Sequence, residues 1–376
     1  MNYVFLGDSP TLESGFARVV KNIIPNLNLP NKHLWGIGYK GEQHNYDFNI
    51  YPANIESSWE SEFNIKRFEN FLLSFNGPIT LWTIHDPFRL ANFLPAINAV
   101  RKKQKLRLVS YIPVDSYLNT LDDTLFLNEV DIIVSYTNFG KKCIENVISK
   151  NKEIKVIPHG NDEDFRKLKS KKDILFPDNM ENKILGVVNS NSERKNLFRS
   201  FEIFYYLHDL DPNWRLYVHS DPNGYYNFKQ IALEMNILDK CIFADPFFET
   251  GVIGETSCSK EELIDIYNCI DLFLSTSHGE GWGLTATEAA SCEVPIAIGN
   301  HTSFGEIFDN DSAIFLQNGQ PSYYMKKIVH DFDSLKSAQK INTEYPRSNF
   351  RIKNAKKVVE NFKWKEINKQ WENVIK

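Results

Sequence analysis

Short β-branched or aromatic runs alternate with longer amphipathic stretches along the whole chain. The runs predict strands at 3–7, 33–39, 79–85, 106–113, 131–136 and 154–158, then at 183–189, 214–219, 241–244, 271–276, 295–299 and 313–316. Several are apolar almost throughout, such as Ile79-Thr80-Leu81-Trp82-Thr83-Ile84, which marks strands covered on both faces. Between them the spacing predicts helices at 15–27, 62–75, 89–103, 138–150, 195–210, 225–236, 259–269, 284–292 and 321–331. A final stretch, 349–375, reads as one long helix with Val358, Val359, Phe362, Ile367, Trp371 and Ile375 as its apolar positions. Regular strand–helix alternation implies parallel sheets with right-handed crossovers. Two sets of about six strands therefore predict an α/β protein of two doubly wound, Rossmann-like domains.

The expected seam lies near 160–182, where Asn161-Asp162-Glu163-Asp164, the basic run 166–172 and Phe176-Pro177-Asp178-Asn179 are polar or turn-forming. This gives domains at 1–165 and 166–348, with 349–376 as a C-terminal helix. Ligands of open α/β sheets bind at the carboxyl ends of the strands, so the chemistry is expected there.

Composition narrows the function. The 376 residues are 42% hydrophobic and 24% charged, which argues against disorder, and a net charge of −5 excludes a wholesale basic protein. No apolar run approaches the ~20 residues of a membrane span, and the amino terminus has no basic region before an apolar core. Five cysteines without a Cys-x-x-Cys pair suit reduced thiols in a cytoplasm better than disulfides or zinc.

The sharpest chemical signal is Ser277-His278-Gly279-Glu280-Gly281-Trp282-Gly283-Leu284-Thr285-Ala286-Thr287-Glu288-Ala289, which follows a predicted strand and runs into a predicted helix. Its glycines permit close approach of a ligand to backbone, and the helix start offers unpaired amides to an anion. The plainer reading is a glycine loop capping an ordinary helix. Gly279, Gly281 and Gly283 lack the third glycine of a dinucleotide fingerprint. Arg194 and Lys195 sit after another strand, where fixed cations could face an anion. His85-Asp86 stands at a strand's carboxyl end, whereas His208-Asp209 and His330-Asp331 are repeats of the dipeptide without that position. Asp-x-Asp recurs at 162/164, 209/211, 309/311 and 331/333, as turn composition produces, and no metal site is expected.

The segment Ser277–Ala289 resembles the E-x7-E signature of retaining nucleotide-sugar glycosyltransferases of family 4, which have the GT-B fold. The resemblance extends through Ser14-Gly15-Phe16-Ala17-Arg18-Val19, Ile112-Pro113-Val114-Asp115, Ser135-Tyr136-Thr137-Asn138-Phe139-Gly140, Ile157-Pro158-His159-Gly160-Asn161, Ser192-Glu193-Arg194-Lys195-Asn196 and Phe362-Lys363-Trp364. It implies a donor site on the second domain, an acceptor site on the first, and a terminal helix crossing back to the first. Glu280 would touch the donor sugar, Glu288 the ribose, and Gly281, Gly283, Leu284 and Thr285 the sugar and phosphate. Gly15 would face the donor phosphates, Lys195 and Arg194 would hold the diphosphate, and His85 would lie near the transferred sugar. Asp86, Asp115 and His159 are the acceptor-side candidates. The family's arginine about five residues before the lysine is replaced by Ser190 and Asn191, leaving Arg194 or a weaker grip as alternatives.

The same resemblance implies a UDP- or GDP-sugar donor, no cofactor, no catalytic metal, and a saccharide or glycolipid acceptor. The opening Gly7–Phe16 and Trp35-Gly36-Ile37-Gly38-Tyr39 also resemble a phage-type branch, which implies hydroxymethylated pyrimidines in DNA as an alternative acceptor. A DNA acceptor would call on the basic runs, including residues 345–376 with nine basic and three acidic side chains. A non-catalytic sugar-nucleotide-binding protein is the rival from another class.

Overall fold

The apolar run Ile79–Ile84 is buried at every position in a computed structural model of the chain, as a strand covered on both faces must be. The structure describes the chain apart from residues 54–63, 119–120, 150–151, 223, 245–257 and 325–326. The first residues of the helix expected at 62–75 and the last of that at 138–150 fall outside the described residues.

Two units form. The first comprises Met1–Gly160 and Trp364–Lys376, the second Asn161–Lys363. In the first, β1 (Asn2–Asp8), β2 (Lys32–Ile37), β3 (Asn49–Pro52), β4 (Ile79–Ile84), β5 (Leu106–Ile112), β6 (Ile132–Ser135) and β7 (Ile154–Val156) make one sheet. All its pairings are parallel, in the order β3-β2-β1-β4-β5-β6-β7. In the second, β8 (Lys183–Val188), β9 (Trp214–His219), β10 (Cys241–Phe243), β11 (Leu272–Leu274), β12 (Ile296–Ile298) and β13 (Ile314–Phe315) repeat the pattern as β10-β9-β8-β11-β12-β13. Those pairings too are parallel. Each order runs outward from its first strand and then reverses, so each sheet has one switch point: between β1 and β4, and between β8 and β11. The expected α/β class with two doubly wound units is thus observed.

The cores follow the apolar runs. Leu6, Trp35, Phe68, Leu81, Ile97, Leu108 and Phe126 belong to one cluster, and Leu185, Phe201, Phe204, Leu216, Leu272 and Ile341 to another. β3 escaped the periodicity because Asn49-Ile50-Tyr51-Pro52 is short and ends in proline, which an edge strand tolerates. The helix expected at 89–103 divides into Pro87–Leu90, a 3-10 turn Ala91–Phe93 and Leu94–Arg101.

Two expectations are overturned. The helix expected at 321–331, whose residues 325–326 lie outside the described residues, is not observed on either side of them: β14 (Ser322–Tyr324) and β15 (Lys327–Val329) pair antiparallel, with Tyr323 opposite Ile328. Pro321 and two tyrosines suit a strand, and the cross-strand apolar pair replaces helical i,i+4 neighbours. Nor is 349–375 one helix. Asn349–Glu360 and Trp364–Ile375 are separate, because the backbone at Phe362 and Lys363 turns to other partners. The Asn161 amide donates to the Phe362 carbonyl, and Asn161 bridges Lys363. Gly160 lies so close to the Trp364 ring that a β-carbon would come within 2.3 Å of it.

The helix Trp364–Ile375 belongs to the first unit. Trp371, fully buried, meets the rings of Tyr111 at 4.7 Å and Trp82 at 5.6 Å. Arg107 donates to the Val374 carbonyl at 2.7 Å, and Asn368 to that of Asn22 at 2.9 Å. No helix among the described residues is long and apolar enough to cross a membrane. Replacing Trp371 with alanine removes the anchor of this helix and is expected to cost about 3–5 kcal/mol. Urea denaturation followed by the loss of helical circular dichroism measures it, and a change below about 1 kcal/mol would show that the helix is not held by this contact.

Candidate functional site

In the second unit, both chains of residues leaving the switch point carry charge. After β8, Asn189–Ser192 lead into a 3-10 turn Glu193–Lys195, and Asn196 adopts a left-handed conformation (φ 49°) before the helix Leu197–Leu210. Lys195 therefore lies in a turn just ahead of the helix, whose start was expected at 195. After β11, the loop 275–283 carries Glu280 and ends at Gly283, which precedes the helix Leu284–Ser291. Hydrogen bonds stitch these two loops together. Thr276 Oγ1 donates to the Asn196 carbonyl at 2.9 Å, and the His278 amide to that of Arg194 at 3.0 Å.

The result is a buried charge cluster. Lys195 Nζ stands 2.6 Å from Glu280 Oε1, and Arg194 Nη1 stands 3.2 Å from Oε2 and 2.6 Å from the Gly279 carbonyl. Glu280 is 6% exposed and Lys195 9%. Burial alone would raise the Glu280 pKa, but Lys195 and then Arg194 outweigh it and hold the carboxyl down at about 2. Two cations thus converge on one carboxylate among the described residues, and fixed cations of this kind suit a site for an anion.

Around this cluster the loop after β12 closes. The Glu280 amide donates to Thr302 Oγ1 at 3.1 Å, and Ser303 Oγ donates to the Trp282 carbonyl at 2.9 Å. His301 is buried and stacks on His330 at 4.4 Å, with the ring planes nearly parallel. Its pKa falls to about 3, first through burial and then through His330 beside it. Gly283 has φ of 94°, and a β-carbon there would lie 2.1 Å from the Phe304 ring. No side chain caps the helix that Gly283 opens, and Gly281, Leu284 and Thr285 are half-buried beside it. Glu288 lies one turn further on, buried, with its Oε2 accepting from the Tyr267 hydroxyl at 3.0 Å.

The first unit places a different set at its own switch point. Asp8 ends β1, and Ser14 Oγ donates to its carboxylate. Ser14 also caps the helix Gly15–Ile23, accepting from the Ala17 amide at 3.0 Å, so Gly15 begins that helix. His85 follows β4. Its Nδ1 accepts from the Asp86 amide at 2.8 Å, which in the neutral ring puts the proton on Nε2, 4.0 Å from Asp8 Oδ1. Phe16 covers the ring at 4.6 Å. Asp86 is half-buried beside it.

The other two acceptor-side candidates lie elsewhere. Asp115 is half-buried after β5, accepting from the Ser116 hydroxyl at 3.1 Å. His159 sits in the core against Tyr111, Tyr136 and Trp364, its Nδ1 2.7 Å from the Tyr111 hydroxyl. Burial lowers its pKa to about 3, so it stays neutral. Five of the Asp-x-Asp carboxylates have other partners: Asp162 and Asp164 meet Lys260, Asp211 meets Lys183, Asp331 meets Arg199, and Asp333 caps Ser334–Glu344. Among the described residues no cluster of histidine, cysteine and carboxylate groups suits a metal.

Sequence reasoning missed Asp8, Asn196, Tyr267 and Thr302. Asp8 had a signal, a lone acid closing an apolar first strand, and Asn196 had another, since asparagine is the side chain that best tolerates the left-handed region. The roles of Tyr267 and Thr302 depend on contacts across 21 and 22 positions, which no local pattern carries.

Residues 169–344, just under half of the chain, match the family model described as "Glycosyl transferases group 1". Solved structures match over the whole chain. HepE of Anabaena in complex with UDP and glucose has a TM-score of 0.75 at 15% identity, covering 100% of this chain and 99% of its own. Sucrose-phosphate synthase of Thermosynechococcus elongatus gives 0.74 at 13%, covering 100% and 98%. The N-terminal domain of trehalose-6-phosphate phosphatase of Candida albicans gives 0.68 at 13%, covering 99% and 96%. At such identities the likeness defines the fold, two Rossmann-like units of the GT-B type. No protein with a curated description matches the sequence.

The charge cluster makes a pH prediction. The folded-state Glu280 carboxyl is held at about 2 against a usual 4.5, so its stabilising contribution is complete above about pH 4.5 and is lost as the pH falls toward 2. At 1.36 kcal/mol per pH unit this amounts to about 3 kcal/mol. Glu280→Gln is therefore expected to lower stability at pH 7 by about that amount, with the difference from the natural chain shrinking below pH 4. Urea denaturation at pH 7 and pH 3 tests it; a difference independent of pH would mean that Glu280 is not held ionised by Lys195 and Arg194.

Proposed function

We propose that this chain is a retaining glycosyltransferase resembling family 4, which moves a sugar from a nucleotide-sugar donor to an acceptor hydroxyl. The observation that carries the reading is the Lys195–Glu280–Arg194 cluster at the switch point of the second sheet, within the segment that matches the family model. Its two fixed cations suit the diphosphate of a UDP- or GDP-sugar, and HepE, similar over its whole length, has been solved with UDP and glucose. Arg194, 3.2 Å from Glu280, supplies the second cation that the sequence lacks at Ser190 and Asn191.

In this reading Lys195 and Arg194 stabilise charge as it grows on the leaving diphosphate, with the uncapped helix start at Leu284 and Thr285 adding amide donors. Glu280, already ionised and fixed, accepts from hydroxyls of the donor sugar. Glu288, oriented by Tyr267, holds the ribose. The bond from the anomeric carbon to the diphosphate oxygen breaks, and the acceptor oxygen bonds to that carbon on the same face. The acceptor proton passes to the departing phosphate oxygen, so no side-chain nucleophile and no metal is required. His85, held with its Nε2 proton toward Asp8, lies near the transferred sugar, with Asp86 on the acceptor side and Gly15 toward the donor phosphates.

We take the acceptor to be a saccharide or glycolipid. Part of the charge on the basic runs of the chain is compensated within the protein. Lys171 pairs with Asp265, Lys172 with Asp271 and Arg101 with Glu129 and Asp131, while Arg107 binds helix carbonyls. Five free cysteines fit a reducing, cytoplasmic setting.

A panel of UDP-, GDP- and ADP-sugars, tested for thermal shift and for release of free sugar, decides the activity; no binding by any of them would overturn it. Transfer to saccharides against transfer to hydroxymethylated DNA, read by mass spectrometry, decides the acceptor. Lys195→Ala is expected to reduce kcat by roughly 10²–10³-fold, the scale for losing one fixed donor to a developing oxyanion. Because Lys195 and Arg194 share one carboxylate, the double mutant should lose less than the product of the single losses. Glu288→Gln should instead raise the donor KM with kcat nearly unchanged, since a ribose contact is equally strong in ground and transition states. Loss of kcat in Glu288→Gln at unchanged KM would contradict that division. EDTA should leave turnover intact.

A further inference from the structure

His330-Asp331 is one of three His-Asp pairs in the sequence and had no strand-end position to recommend it. In the structure it directly follows β15 and touches both loops of the charge cluster. The Asp331 carboxylate accepts from Asn196 Nδ2 at 3.0 Å, one residue from Lys195. The His330 carbonyl accepts from His278 Nδ1 at 2.7 Å, two residues from Glu280. Asp331 is itself rigidly anchored. Arg199 donates to it through Nε and Nη2, both at 2.9 Å, the Phe332 amide at 2.8 Å, and Ser322 Oγ on β14 at 2.5 Å. Asp331 is 6% exposed and Asn196 8%, so these bonds compete little with water.

We propose that Asp331, acting through Asn196, is a positioning residue for Lys195, and that His330 does the same for the Glu280 loop through His278. The assignment rests on the donor site proposed above and adds to it the device that keeps the two loops in register. The reason lies in the backbone. A 3-10 turn ending in a left-handed residue is held by few bonds of its own, and Asn196 has no intrinsic need of Asp331 to reach φ 49°. Glycine and aspartate also tolerate that conformation. What neither can do is donate to Asp331: glycine has no side chain, and aspartate would set one carboxylate against another.

That separation gives the test. Asn196→Gly and Asn196→Asp both keep the backbone accessible and both remove the donated bond, while Asp331→Asn weakens it from the other side. Each is expected to lower kcat/KM by roughly tenfold, on the scale of coupling between residues in one polar network. The melting temperature should fall by only a few degrees in Asn196→Gly and by more in Asn196→Asp, where two buried carboxylates meet. In a Lys195→Ala background the Asn196→Gly loss should shrink to less than twofold, because nothing remains to be positioned. A second readout is independent of the reaction: the carboxyl carbon resonance of Glu280, titrated by NMR, should move up toward the ordinary carboxylate range in both Asn196 variants as Lys195 loosens. Wild-type kcat/KM in both Asn196 variants, or losses fully additive with Lys195→Ala, would overturn the proposal. A chain that binds no nucleotide sugar would overturn the donor reading instead, and the Glu280 titration would then decide the positioning role alone, an unshifted resonance refuting it. If Asp331→Asn does not fold, the Asn196 pair still carries the test.

Discussion

An ionised carboxylate more than nine-tenths buried is tolerable only if its charge is compensated, and in this protein the compensation at Glu280 comes from a different loop, through Lys195 and Arg194. That one requirement ties β8 to β11 at the switch point of the second sheet. It explains why the Lys195 turn is bonded to the loop after β11 through Thr276 and His278, and why the loop after β12 braces the Glu280 backbone through Thr302. A pair so enclosed gains less from its mutual attraction than it loses by leaving water unless the geometry is fixed from outside. The surrounding hydrogen bonds fix it.

The fold was largely legible because parallel α/β units write themselves as continuous apolar runs. Ile79–Ile84, Leu106–Ile112 and Lys183–Val188 could be read directly, since burial on both faces leaves no alternative composition. The errors came where tertiary partners override periodicity. The residues at 321–331 carry apolar positions compatible with a helix, yet Tyr323 and Ile328 pair across a hairpin. The break at Asn361–Lys363 was equally hidden: Phe362 looked like a core position of one long helix, whereas its carbonyl accepts from Asn161 some 200 positions earlier.

For the site, residue types were legible and arrangement was not. Glu280, Gly283 and Glu288 stood out by their spacing around a strand–loop–helix transition, and Lys195 by following a strand. That Lys195, Arg194 and Glu280 form one cluster could not be read, because it depends on β8 and β11 being neighbours although they are separated by β9 and β10 in sequence. The switch in strand order is the missing information. The same holds for Asp8 and His85, brought to 4.0 Å by the adjacency of β1 and β4.

Both units use one topology and both place charged side chains where the strand order reverses, but with opposite character. The second unit sets two fixed cations around one carboxylate. The first sets Asp8 and Asp86 around one histidine. A fixed cation favours an anion, whereas an oriented carboxylate accepts from a hydroxyl, so one topological position suits different chemistry according to the side chain it carries. A shared fold fixes where such side chains stand; their character is written in single positions, Asp8 at the end of β1 and Lys195 in the turn that follows β8.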